Sequence, residues 1–176
     1  MSETVQEAIK PDEVDTNFKY ELLKLHGGEK LMRCFQCGTC TSDCPIARFS
    51  DTYRPRQIIR MAQLGLKNKV LDSETLWLCA SCFTCTDRCP QDVEVASVIR
   101  VLRNLAAEQG HIPPVFKEEC SSILESGYAY RIPELRLKKR ESLGLPPLPK
   151  GNPESLDKTL RGVGFLEHME KEERQG

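Results

Sequence analysis

The 176-residue chain lacks any apolar run of the length needed to cross a bilayer, so direct membrane insertion is not expected and attachment would have to come through a partner. It lacks an excess of either charge. Its 25 Lys and Arg stand against 26 Asp and Glu, and that balance gives no footing for nucleic acid or for an anionic membrane surface. Aromatic residues are scarce, at 6% with one tryptophan, and Phe35, Trp77 and Phe83 lie in or beside cysteine runs. No signal peptide is recognised, which sets the expectation of a reducing, cytoplasmic location. Gly162-Val163-Gly164 lacks the Lys-Ser/Thr of a phosphate loop and reads as a turn. With 39% hydrophobic and 29% charged residues, the composition suits one compact domain with arms, whose small core a bound metal would support.

What the chain has in abundance is cysteine. Eight of its nine cysteines fall into two runs, Cys34-Phe35-Gln36-Cys37-Gly38-Thr39-Cys40-Thr41-Ser42-Asp43-Cys44-Pro45 and Cys79-Ala80-Ser81-Cys82-Phe83-Thr84-Cys85-Thr86-Asp87-Arg88-Cys89-Pro90. Both read C-x2-C-x2-C-x3-C-P, and they share Thr39/Thr84 and Thr41/Thr86 at an offset of 45 residues. In bacterial ferredoxins this run carries cubane iron-sulfur clusters, three thiolates going to one cluster and the fourth to the other. Three cysteines spaced by two residues can wrap one face of a cubane, with backbone N–H groups turned towards its sulfurs. Pro45 and Pro90 end the turn and aim Cys44 and Cys89 away from their own triplets. The expected ligand sets are therefore crossed: Cys34, Cys37, Cys40 and Cys89 for one 4Fe-4S cluster, and Cys79, Cys82, Cys85 and Cys44 for a second.

Two other chemistries use cysteine. Zinc sites show separated C-x2-C pairs rather than a triplet followed by C-P, so a zinc-stabilised interaction protein is the alternative of another class. A disulfide framework fits less well, because the chain is long enough for an ordinary core and its cysteines cluster in metal-type runs.

The remaining chain reads mainly as helix. Residues 1 to 16 form an acidic N-terminal arm. A first helix follows Thr16 or Asn17, with Phe18, Leu22 and Leu25 at helical spacing and Gly27-Gly28 as its stop. His26 at its end reads as structural. In the connector, Pro55 opens a helix whose stripe is Ile58, Ile59, Met61, Ala62 and Leu64, and Gly65 closes it. Ser73 is expected to cap a short segment leading to Trp77, and Trp77 to shield a cluster or fill the core. Asp92 is expected to cap a helix with Val95, Val98, Ile99, Leu102, Leu105 and Ala106 on one face. A further helix over Val115 to Ser126 carries Phe116, Cys120, Ile123 and Leu124, and Cys120 is expected as a buried small hydrophobe. After Tyr128 the chain becomes locally basic and then proline-rich. Residues 128 to 176 are expected as an extended C-terminal arm that packs on a partner through Leu156, Leu160, Val163, Phe165 and Leu166.

Two such cysteine runs on a helical connector resemble the alpha-helical ferredoxin domain, also found in iron-sulfur subunits of succinate dehydrogenase and fumarate reductase. The resemblance becomes closer at Cys40-Thr41-Ser42-Asp43-Cys44-Pro45-Ile46-Ala47, Asp51-Thr52-Tyr53-Arg54-Pro55-Arg56 and Ile58-Ile59-Arg60-Met61-Ala62-Gln63-Leu64-Gly65. There the chain is similar to the C-subunit family of the soluble heterodisulfide reductases of methanogenic archaea. The similarity covers residues 17 to 126, within an expected domain of 17 to 127. It implies a relay protein with no catalytic residues of its own. Electrons would pass from a flavin-containing A-subunit, through two 4Fe-4S clusters, to a B-subunit with CCG-type clusters. The B-subunit would reduce the coenzyme M–coenzyme B heterodisulfide of methanogenesis. A hydrogenase or formate dehydrogenase module would stand upstream. An iron-sulfur relay protein of another reductase or dehydrogenase complex is the alternative within the same class.

One expectation goes beyond the resemblance. Asp43 precedes one crossing cysteine and Arg88 the other, so positive charge adjoins the cluster of Cys34, Cys37 and Cys40. Positive charge favours the reduced form, and that cluster is expected to have the higher potential.

Overall fold

A computed structural model describes residues 9–149 and 151–170, with only the backbone for 168–170. The start of the acidic arm (1–8) and the charged end of the chain (171–176) lie outside the described residues. The chain divides into two compact units, Met1–His111 and Ile112–Gly176. Among the described residues every regular element is helical, as the hydrophobic periodicity predicts. No helix among them is long and apolar enough to cross a membrane.

The first unit holds α1 (Phe18–Leu23), α2 (Thr39–Ser42), α3 (Pro55–Leu64), α4 (Lys67–Leu71), α5 (Thr84–Asp87) and α6 (Val95–Glu108). Its core is built by α1, α3, α4 and α6, which bury Phe18, Leu22, Ile59, Val70, Leu71, Val98, Ile99 and Leu102. Burying each such side chain contributes about 1.5–3 kcal/mol. On α6 the expected stripe is inward except for Leu105, which is half-buried. On α3, Ile58, Ile59 and Ala62 are buried, but Leu64 is 41% exposed and the polar Gln63 takes an inner place at 9%. An apolar stripe counts only transfer out of water, whereas Gln63 is held inside by hydrogen bonds to loop carbonyls.

Helix ends follow their chemistry, with three corrections, one of them at Ser73, which precedes the short turn Glu74–Leu78 but makes no capping bond through its side chain. Pro55 opens α3, and Gly65 closes it at φ 80°, where a Cβ would meet the Asp15 carbonyl oxygen at 2.1 Å. The Asp15 N–H donates to Gly65 O at 2.8 Å, which ties the end of the N-terminal stretch to α3. α1 is shorter than its apolar spacing suggests, so Leu25 and His26 lie beyond it. His26 is nearly fully exposed, 3.4 Å from Glu29. Asp92 does not cap α6. Its carboxylate pairs with Lys30 Nζ at 2.7 Å, Glu94 joins the same lysine, and α6 begins at Val95.

The second unit holds α7 (Pro114–Ser126), α8 (Glu134–Ser142), α9 (Pro153–Gly162) and α10 (Phe165–Glu170). Pro153 and the Asn152 side chain, which accepts from Ser155 N at 3.0 Å, start α9. α9 packs against α7 and α10, and Leu166 is buried while Leu156, Leu160 and Phe165 are half-buried. Cys120 on α7 is half-buried rather than buried. Its thiol is pushed up by desolvation first and by Glu119 second.

Candidate metal centre

The two cysteine runs fold alike, step by step. Cys34 (φ −69°, ψ 116°) and Cys79 (φ −61°, ψ 118°) each leave a helical turn with extended backbone. Gln36 and Ser81 then turn left-handed at φ 68° and 50°, and Gly38 and Phe83 do so again at 92° and 61°. Left-handed backbone costs about 1–2 kcal/mol at a residue with a Cβ, and three of these four residues have one. Alternation of this kind builds a nest, a concavity of backbone N–H groups that favours a negatively charged group. α2 and α5 follow at once, and they bury Cys40 and Cys85.

The loops mesh. Cys34, Cys37 and Cys40 line one hollow together with Gly38, Thr39 and Cys89, the last from the other run. Cys85 is within electrostatic reach of Cys79 and Cys82 from its own run and of Cys44 from the first. It also feels Cys40, so the two groups of thiols adjoin where α2 meets α5.

Depth sorts the thiols. Burial pushes Cys40 up to about 11; a hydrogen bond with Thr41 opposes that shift, and the charges of Cys34, Cys37 and Cys89 add to it. Burial pushes Cys85 up to about 12, and its cysteine neighbours reinforce the shift. Cys37 and Cys82 are exposed and lie below the usual thiol value. The first cause is the hydroxyl of Thr39, 3.3 Å from the Cys37 sulfur, and of Thr84, 3.5 Å from Cys82. N–H donors reach sulfur as well: Gln36 Nε2 to Cys34 and Val93 N to Cys89, both at 3.4 Å.

Several residues around the thiols carry no motif of their own. Tyr53 is 1% exposed. Burial first, and a hydrogen bond with Cys79 next, hold its phenol far above the ordinary range. Thr41 Oγ1 accepts the N–H of Arg56 at the start of α3 (3.0 Å), and Thr86 Oγ1 accepts that of Ala96 at the start of α6 (3.3 Å). Gln63 Nε2 donates to the carbonyls of Leu31 (3.2 Å) and Cys34 (3.0 Å). Arg103 donates from Nε to Leu76 O (3.0 Å) and from Nη2 to Trp77 O (2.8 Å) and Cys79 O (2.6 Å). The half-buried Trp77 has the Arg103 guanidinium 5.6 Å from its ring centroid. Asp43 and Arg88 face one another at 4.0 Å, so the two charges oppose each other rather than each acting on a separate thiol group.

This donor set fits iron-sulfur clusters. Thiolates are soft ligands, and the left-handed loops offer N–H groups to an anionic body. Zinc would draw four thiolates to about 2.3 Å from one point. Among the described residues no three of His, Cys, Asp and Glu converge on a single ion position, and the first four thiols surround a hollow instead.

A family model described as a 4Fe-4S dicluster domain matches residues 30–93, the span from Lys30 through both runs. The chain is 37% identical over 163 residues to the C-subunit of the H(2):CoB-CoM heterodisulfide,ferredoxin reductase of Methanothermobacter marburgensis, covering 89% of this chain and 87% of that protein. It is 41% identical over 145 residues to an iron-sulfur C-subunit, the second of that type, of the CoB--CoM heterodisulfide reductase of Methanocaldococcus jannaschii, covering 78% and 77%. It is 39% identical over 134 residues to the C-subunit of the Ferredoxin:CoB-CoM heterodisulfide reductase of Methanosarcina mazei, covering 74% and 81%. With a 4Fe-4S domain on both cysteine runs and this identity over most of its length, the chain belongs to the heterodisulfide reductase C-subunit family, iron-sulfur electron-transfer components of an oxidoreductase complex.

Proposed function

We propose that this chain carries two 4Fe-4S clusters and relays electrons between partner subunits of a heterodisulfide reductase. Cys34, Cys37, Cys40 and Cys89 would hold one cluster, and Cys79, Cys82, Cys85 and Cys44 the other. The observation that carries this reading is Cys89 standing among the first run's three thiols, with Cys44 beside Cys85 in the second group. A bound 4Fe-4S cluster supplies a one-electron couple. The chain's own residues hold sulfur ligands, keep Thr hydroxyls on the two outer sulfurs, and bury Cys40 and Cys85 side by side. Adjacent buried ligands give the short internal span that a relay requires.

The direction and partners come from the family. Electrons would enter from a flavin-containing A-subunit and leave to the B-subunit, which would reduce the CoB-CoM heterodisulfide that the relatives' names carry. A hydrogenase or formate dehydrogenase module would feed the flavoprotein. No residue of this chain is assigned to disulfide chemistry. A reducing cytoplasm suits a chain whose cysteines must stay available as thiolates.

Anaerobic purification of the tagged full-length chain from its own cells tests the proposal. The expected result is a complex with a flavoprotein and a CCG-containing protein, active on the heterodisulfide, and about eight irons on this chain, four for each cubane. Co-purification with a different dehydrogenase and no heterodisulfide activity would assign the relay to another complex. Zinc in place of iron would remove electron transfer altogether.

A further inference from the structure

The first unit is duplicated beyond its cysteines, and the equivalent residues that clamp the two loops differ in charge. Gln63 lies seven residues after Arg56, whose N–H is held by Thr41; Arg103 lies seven residues after Ala96, whose N–H is held by Thr86. From these matching places on α3 and α6 the two side chains clamp matching carbonyls. Leu31 and Cys34 correspond to Leu76 and Cys79 at the same offset that separates the runs. The clamp is a neutral amide in the first half and a guanidinium in the second.

That guanidinium is well placed to act on a cluster. Two of its three hydrogen bonds come from one nitrogen, and the shortest ends on the carbonyl of Cys79 itself. It is half-buried against Trp77, and among the described residues no ion pair uses it, so its charge is not offset by a carboxylate. Other cations near the thiols are weaker claimants. Arg88 is largely exposed and paired with the half-buried Asp43, and Arg56 at the edge of the first hollow is exposed, where solvent screens it.

We propose that Arg103 is a positioning residue that raises the reduction potential of the cluster anchored at Cys79 by keeping on that cysteine's carbonyl a positive charge that no carboxylate among the described residues offsets. Reduction adds one negative charge to the cluster, and a fixed cation beside a ligand stabilises that state. This rests on the two-cluster reading above, and it replaces Arg88 and Asp43 as the charges that distinguish the two sites.

The test is a redox titration of the cluster-loaded full-length chain, followed by electron paramagnetic resonance. The two signals are assigned with Cys37→Ser and Cys82→Ser, each of which disturbs one of them. At a fixed solution potential, Arg103→Gln, which copies the first half's clamp, should lower the reduced-to-oxidised ratio of the Cys82-dependent signal about tenfold, equivalent to about 59 mV for a one-electron couple. The Cys37-dependent signal should move much less. Arg103→Lys keeps the charge and should retain most of the ratio. Should Arg103→Gln fail to load, Gln63→Arg asks the reciprocal question, and the Cys37-dependent ratio should rise by a similar factor. Unchanged ratios in the loaded variants would overturn the proposal, as would Arg103→Lys shifting as far as Arg103→Gln, since bonding and not charge would then be responsible. Iron and sulfide analysis short of two cubanes in the unaltered chain would instead count against the two-cluster reading.

Discussion

The first cysteine run and the second bend at the same steps but are stiffened by different means. At the second left-handed step the first run has Gly38, which adopts φ 92° freely, and the second has Phe83, forced to φ 61° and itself 41% exposed. Behind the first loop stands Gln63 with two carbonyl bonds, and behind the second stands Arg103 with three. The more strained loop therefore has the stronger clamp. The lesson is that duplication preserves the backbone path a ligand set needs, while the side chains that enforce the path are free to diverge.

Truncating the clamps should separate the two runs by the largest margin. Bonds from a charged donor contribute more than neutral ones, so Arg103→Ala should destabilise the cluster-loaded chain by about 3 kcal/mol and Gln63→Ala by about 1.5 kcal/mol. Anaerobic urea unfolding measures both, and equal losses would mean that the charge adds nothing to the second loop's stability. The helix caps should behave symmetrically. Thr41→Val and Thr86→Val each remove the acceptor for the N–H of a long helix's second residue, and each should cost about 1 kcal/mol by the same measurement.

The mildest comparison concerns reactivity in chain stripped of iron. A lowered thiol pKa means more thiolate at a given pH, and a raised one means less. Cys37 and Cys82 should therefore be alkylated first as pH rises towards the usual thiol value. Cys40 and Cys85, raised to about 11 and about 12 and buried, should be alkylated last. Peptide mapping after timed iodoacetamide exposure reads that order. Thr39→Val should slow Cys37 without slowing Cys82.

Much of the first unit was legible before its structure, because cysteine spacing and apolar periodicity are local signals. The runs, the Pro55 and Gly65 ends of α3 and the stripe of α6 all belong to that class. The clamps were not legible, for a specific reason. Cysteine runs repeat at an offset of 45, whereas α3 and α6 repeat at 40, since the chain takes ten residues from Pro45 to Pro55 and five from Pro90 to Val95. No single shift aligns both, so Gln63 does not line up with Arg103 at the offset that aligns the cysteines. The longer connector is also where Tyr53 sits, and a phenol reaching the other run's Cys79 leaves no mark in local spacing. Asp92 misled because an acidic residue before an apolar run is the usual cap signal, yet a lysine 62 residues away held it more strongly. The shared Thr41 and Thr86 were visible as a repeat, but their role as caps depends on helices that arrive 15 and 10 residues later.

The interleaving of the two runs is what everything else depends on, and Cys89→Ser tests it most directly. In the full-length chain, alongside Cys37→Ser and Cys82→Ser, interleaved ligation predicts that Cys89→Ser removes the same paramagnetic signal as Cys37→Ser, with iron falling from about eight towards about four per chain. Removal of the Cys82→Ser signal instead would show each run holding its own cluster and would contradict interleaving.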